Sequence, residues 1–152
     1  MTRLLLLILF TLFPATPQAC GQTAADSTAI RQTALDYIEG WYTGDAERMG
    51  QAVHTALVKR IVATHPKTGE QVFQDQDSTA LVAATKKGYG TKFPETSRQK
   101  DITILDVFEG VASVKVVAAD WVDYLHVVKQ DGNWEIINVL WEMKPPRRQS
   151  GS

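Results

Sequence analysis

Apolar and β-branched positions gather into four runs in the last third of the chain: Ile102–Phe108, Val111–Ala119, Trp121–Lys129 and Trp134–Met143. Glu109-Gly110, a break near Asp120, and Gln130-Asp131-Gly132-Asn133 separate them. Asp-Gly between two such runs predicts a tight hairpin, because a type I′ turn needs φ > 0 at both central residues. The segment from Asp101 to Pro145 therefore reads as one antiparallel meander. The first half follows a helical period instead. Behind Asp26 or Ser27 as cap, Ile30, Ala34, Tyr37, Ile38 and Trp41 fall on one helical face. Gly44 suits the left-handed position that ends this helix, and Asp45 caps a second, Ala46–His54, with Met49, Ala52 and Val53 turned inward. Leu57–Ala63 predicts a first strand, and His65-Pro66-Lys67-Thr68-Gly69 a turn into a short strand, Gln71–Phe73. Asp77-Ser78 caps a third helix, Thr79–Lys87, closed by Gly88, and a loop runs on to Lys100. Helices first and a meander afterwards predict an α+β fold with the helices on one face of a curved sheet.

The N-terminus follows a different pattern. Leu4–Phe13 is apolar except for Thr11, too short for a membrane span of about 20 residues. One basic residue, a short apolar run and small residues after it predict a signal peptide over 1–19, or as far as 21. A leader over 20–26, the domain over 27–145 and a disordered tail over 146–152 follow. Cys20 is the sole cysteine, so the domain has no internal disulfide. Ala19-Cys20 resembles the end of a bacterial lipobox, from which Pro17 and Gln18 depart. Two outcomes stay open: a membrane-anchored lipoprotein carrying lipid on Cys20, or ordinary cleavage leaving an exported protein in the periplasm or medium. The formal net charge of −1 gives no electrostatic reason to expect nucleic acid as a partner. A membrane enters only through the lipid anchor. The basic residues Lys144, Arg147 and Arg148 lie in a terminal segment that reads as solvated.

Strict alternation puts Trp134, Ile136, Asn138 and Leu140 on one side of the last strand and Ile137, Val139, Trp141 and Met143 on the other. Both sides are apolar, whereas a half-exposed antiparallel sheet shows one polar side. Helices cover one face, and the simplest cover for the other is a second copy, which predicts a homodimer through the outer sheet face. Pairing across Asp131-Gly132 matches Lys129 with Trp134, Val127 with Ile136, Leu125 with Asn138 and Asp123 with Leu140. The helix-covered face would then carry Trp121, Asp123, Leu125, Val127, Trp134, Ile136, Asn138 and Leu140, and a β-bulge would exchange the two faces beyond it. Asp123 and Asn138 are the polar members of that face. Buried polar groups need partners, so these two mark an internal network or the floor of a cavity.

Two regions together resemble the nuclear-transport-factor-2-like superfamily, and within it the small bacterial proteins labelled "putative lumazine-binding". They are Trp41-Tyr42-Thr43-Gly44-Asp45-Ala46-Glu47-Arg48-Met49 up to His54, and Asp123-Tyr124-Leu125-His126 with Asp131-Gly132-Asn133-Trp134-Glu135-Ile136. The resemblance spans about Ser27 to Pro145. It implies a cone-shaped barrel in which three N-terminal helices close over a strongly bent, mostly antiparallel sheet, often dimeric through the outer face. The superfamily includes isomerases, cyclases, dehydratases and non-catalytic binding domains, so the resemblance selects no activity.

Candidate chemistry comes from single residues. Proton abstraction beside a carbonyl needs a carboxylate base and a donor to the developing oxyanion. Asp123 is the candidate base, and Asn138, Tyr37 or Trp41 candidate donors. His54 ends the second helix where it can face the cone. His65 sits in a turn, and His126 falls on the outer face. No His or Cys spacing points to a metal, no Gly-x-Ser-x-Gly elbow is present, and no cofactor is expected. The leading expectation is an exported domain binding a small, largely apolar molecule through Tyr37, Trp41, His54, Asp123 and Asn138. A cofactor-free isomerase, cyclase or dehydratase using Asp123 is the alternative, and a protein-interaction module a third.

Overall fold

A computed structural model describes residues 23–65 and 67–145. The expected signal peptide, Cys20 and the tail from 146 lie outside the described residues. Helix α1 spans Ala24–Thr43 and α2 Ala46–Ala52. Strands β1 (Val53–Thr64) and β2 (Gln71–Asp77) precede α3 (Ser78–Lys86). A 3₁₀ turn at Glu95–Ser97 leads into β3 (Asp101–Phe108), β4 (Val111–Val117), β5 (Trp121–Gln130) and β6 (Asn133–Met143). The six strands form one sheet in the order β2-β1-β6-β5-β4-β3. Among the described strands only β1 and β6 run parallel, and every other pair is antiparallel. The sheet is not closed, so β2 and β3 remain its edges. Helix α1 packs against β3, β4 and β6 while α3 packs against β1 and β2, so the helices cover one face from edge to edge.

Local chemistry explains most boundaries. Thr23, not Asp26 or Ser27, caps α1: its hydroxyl oxygen accepts the Asp26 N–H at 3.0 Å. The Asp26 carboxylate accepts from the Thr23 hydroxyl and, on the β5–β6 hairpin, from Lys129 Nζ and Trp134 Nε1. Gly44 ends α1 at φ 74°, and Asp45 caps α2 through the Arg48 N–H. Helix α2 stops at Ala52, two residues before the expected His54, because Val53 already pairs with Ile136 of β6. Asp131 and Gly132 both adopt positive φ, as a two-residue hairpin turn demands.

The β5–β6 register starts as expected, with Lys129 opposite Trp134 and Val127 opposite Ile136. It then shifts. His126 pairs with Asn138, Leu125 with Val139 and Asp123 with Trp141, leaving Ile137 as the extra residue of a bulge. Asn138 and Leu140 therefore belong to the outer face, and Val139 and Trp141 replace them on the inner one. This corrects the strict alternation read from the sequence. The core lies between the helices and this inner face: Ile30, Ile38, Met49, Leu57, Leu81, Val114, Val116, Leu125, Ile136 and Val139 are all buried. Burial of side chains of this size contributes roughly 1.5–3 kcal/mol each. No helix among the described residues is long and apolar enough to cross a membrane.

Candidate functional site

The core does not fill the space between the sheet and all three helices. A cavity of about 560 Å³ opens there. Helix α1 supplies Tyr37, Ile38 and Trp41, which its 3.6-residue period sets on the face toward the sheet. Met49 from α2 and Leu81 from α3 close the side walls, and Trp121 and Trp141 rise from β5 and β6. The segment after α3 forms the rim through Tyr89, Lys92 and Phe93, opposite Asp120 and Met143. Phe93, Trp121 and Tyr42 pack ring on ring, with centroids 5.6–6.0 Å apart, and stiffen that wall. Gly90 lies so close to α1 that a Cβ there would collide with the carbonyl and ring of Trp41. Any larger residue at this position would lift the rim away from the helix.

The floor is a polar cluster. Lys59 of β1 donates from Nζ to Tyr37 Oη at 2.6 Å and to Asp123 Oδ1 at 2.7 Å. The other carboxylate oxygen of Asp123 accepts the Trp121 Nε1 proton at 2.7 Å. Asp123 has no solvent exposure, and Lys59 is 8% exposed. Removing two charges from water costs several kcal/mol per ion unless good geometry and further hydrogen bonds offset it. Both conditions hold here, since each Asp123 oxygen has a donor and the ammonium has two acceptors. Lys59 Nζ also lies 4.9 Å from the Trp141 ring centroid and 5.3 Å from that of Tyr37, within the range of cation–π attraction. Burial, reinforced by the negative charge of Asp123, raises the Tyr37 phenol well above its ordinary pKa of 10.0, so it stays protonated. Lys59 reaches the cavity surface, whereas Asp123 stands behind it.

The sequence model of the family described as "Putative lumazine-binding" matches residues 25–142. The chain belongs to that family. The fold agrees with that of solved structures described as nuclear-transport-factor-2-like. A protein of unknown function from Shewanella baltica superposes with a TM-score of 0.60 at 15% identity, covering 82% of this chain and 99% of that one. Another, from Methylobacillus flagellatus, gives 0.63 at 19% identity, with 82% and 96% covered. A domain of unknown function with a cystatin-like fold from Nostoc punctiforme gives 0.53 at 16%, covering 83% and 82%. At these identities the likeness concerns the fold. No protein of curated function matches the sequence.

Within this lumazine-binding-family domain the residues singled out from the sequence separate into three places. Tyr37 and Trp41 line the cavity, and Asp123 lies directly beneath it. His54 is away from the lining: its Nδ1 accepts the Ala56 N–H at 3.0 Å, and its Nε2 lies 3.0 Å from Gln130 Oε1. Asn138, carried outward by the bulge, lies with Nδ2 3.3 Å from His126 Nδ1 on the opposite face of the sheet. His65 Nδ1 accepts from the Thr68 N–H inside its turn. Among the described residues, no three His, Cys, Asp or Glu side chains converge as a metal site. Sequence reasoning missed Lys59. Its signal was present, because Lys59 follows Leu57 by two residues and so shares the buried parity of β1.

Proposed function

We propose that the domain binds a small, largely apolar, ring-bearing molecule in its cone. The observation that carries this is the cavity of about 560 Å³, walled mainly by aliphatic and aromatic side chains, with Gln76, Lys92 and Asp120 also in the lining and the Lys59–Asp123–Tyr37 cluster at its floor. Ligand sites of small molecules have this composition: apolar walls for affinity and a few fixed polar groups for orientation. The family description supports a small-molecule ligand. An Asp123 general base gains no support from the geometry, since both carboxylate oxygens are already bonded and the group is sealed behind Lys59.

The proposal extends to setting and assembly. The Leu4–Phe13 run supports export to the periplasm or medium, with Cys20 as the lipid-bearing residue if the protein stays anchored. Heavy-isotope palmitate labelling decides that point, and absence of label on the wild type removes the anchor. Exposed Phe108, Val111, Tyr124 and Leu140 support a second copy on the outer sheet face. Light scattering at micromolar concentration tests this, and a clean monomer mass contradicts it.

Native mass spectrometry of the purified protein tests the central proposal. The expected result is a discrete small adduct, released on denaturation and lost when Leu81→Trp fills the cavity. A bare protein mass, together with no uptake of added apolar aromatic compounds, overturns it.

A further inference from the structure

We infer that the cavity selects molecules whose buried end is a neutral oxygen acceptor, such as a ring ketone or lactam carbonyl, bound by the Lys59 ammonium. This rests on the small-molecule proposal above and narrows it. An ammonium carries three donor hydrogens and no acceptor. Two are used, on Tyr37 Oη and Asp123 Oδ1. The third has no protein acceptor among the described residues, and Lys59 is the member of the pair that lines the cavity. The floor thus offers an incoming molecule a donor.

The charge balance narrows the class further. Lys59 is already neutralised by Asp123 at 2.7 Å. An entering carboxylate would add an uncompensated negative charge to a buried site, and such a charge is costly away from water. A carbonyl oxygen takes the hydrogen bond without that penalty. At the floor itself a group that must donate finds the Asp123 oxygens taken by Lys59 and Trp121, and the lining also holds the side-chain acceptors of Gln76 and Asp120. The Trp141 ring beside Nζ favours a flat skeleton next to the carbonyl.

Three probes that share one ring system separate these terms: 2-acetylnaphthalene, 2-ethylnaphthalene and 2-naphthoate, each titrated into the full chain by calorimetry. The ketone is expected to bind most tightly. Its preference over the hydrocarbon is expected to fall about tenfold in the charge-balanced variant Lys59→Met with Asp123→Asn, in line with a lost hydrogen bond to a charged donor. Circular dichroism establishes that the variant is folded; if it is not, the wild-type order alone decides. Equal affinities, tightest binding of the naphthoate, or a preference kept in the folded variant would overturn the inference while leaving the cavity proposal standing. Binding of none of the three overturns both.

Discussion

Strand β5 carries polar side chains to both faces of the sheet, and the two faces treat them differently. Inside, Asp123 is sealed from solvent and tied to β1, to its own strand and through Lys59 to α1, with contacts of 2.6–2.7 Å. Outside, exposed His126 makes a single 3.3 Å contact with Asn138 of the neighbouring strand. The inner cluster fastens three elements together and closes the bottom of a cavity. The outer pair fastens two strands that the backbone ladder already joins. Polarity alone does not mark a site; the completeness of its partners and the space above them do.

The sharpest break of this contrast is Lys59→Met. It strands the Asp123 carboxylate without its cation, and stability should fall by about 3–5 kcal/mol in urea unfolding. A small change would mean that the inner pair behaves like the outer one. Trp121→Phe leaves one Asp123 oxygen without its donor and should cost about 1–3 kcal/mol by the same measurement.

Titration acts in opposite directions on the cavity floor and on the α1–hairpin junction. The folded-state pKa of Tyr37 is raised, so the native chain keeps a proton that the unfolded chain releases. Its contribution is full below pH 10.0 and disappears as pH rises beyond it. In alkaline unfolding, Tyr37→Phe should reduce this loss and leave a residual slope from Tyr42, whose pKa is also raised, chiefly by burial. Asp26, at the α1–hairpin junction, is the reverse case. Hydrogen bonds from Lys129, Thr23 and Trp134 hold its carboxyl well below the usual carboxylate range. Its contribution is full above pH 3.8 and is lost as pH falls below it, so Asp26→Asn should flatten the acid limb of the unfolding profile. The smallest expected effect is that of Asn138→Ala on the outer face, within about 0.5 kcal/mol for the isolated domain. A loss as large as that of Lys59→Met would make the outer pair a structural equal.

The meander was legible because its information is local: alternation names the strands and Asp131-Gly132 names the turn. The helices were legible for the same reason, through Ile30, Ala34, Tyr37 and Ile38. The bulge at Ile137 was not. Ile136-Ile137-Asn138 reads as uninterrupted strand, and the extra residue is fixed only by pairing with β5 and β1. That one residue moved Asn138 out of the candidate site and brought Trp141 into it. Tyr37, Trp41 and Asp123 were found as polar or aromatic members of apolar faces. Lys59 escaped notice because its partners are distant in sequence, Tyr37 across the helix layer and Asp123 two strands farther along the sheet. Burying a lysine makes sense only once both are in view.

Nitrogen-15 NMR of the lysine ammonium groups tests most directly the claim that a buried, paired cation floors a ligand chamber. The Lys59 ammonium should exchange slowly with water, remain visible at neutral pH, and shift when 2-acetylnaphthalene is added. A Lys59 signal as short-lived as those of surface lysines, or one unmoved by a probe that calorimetry shows to be bound, would contradict it.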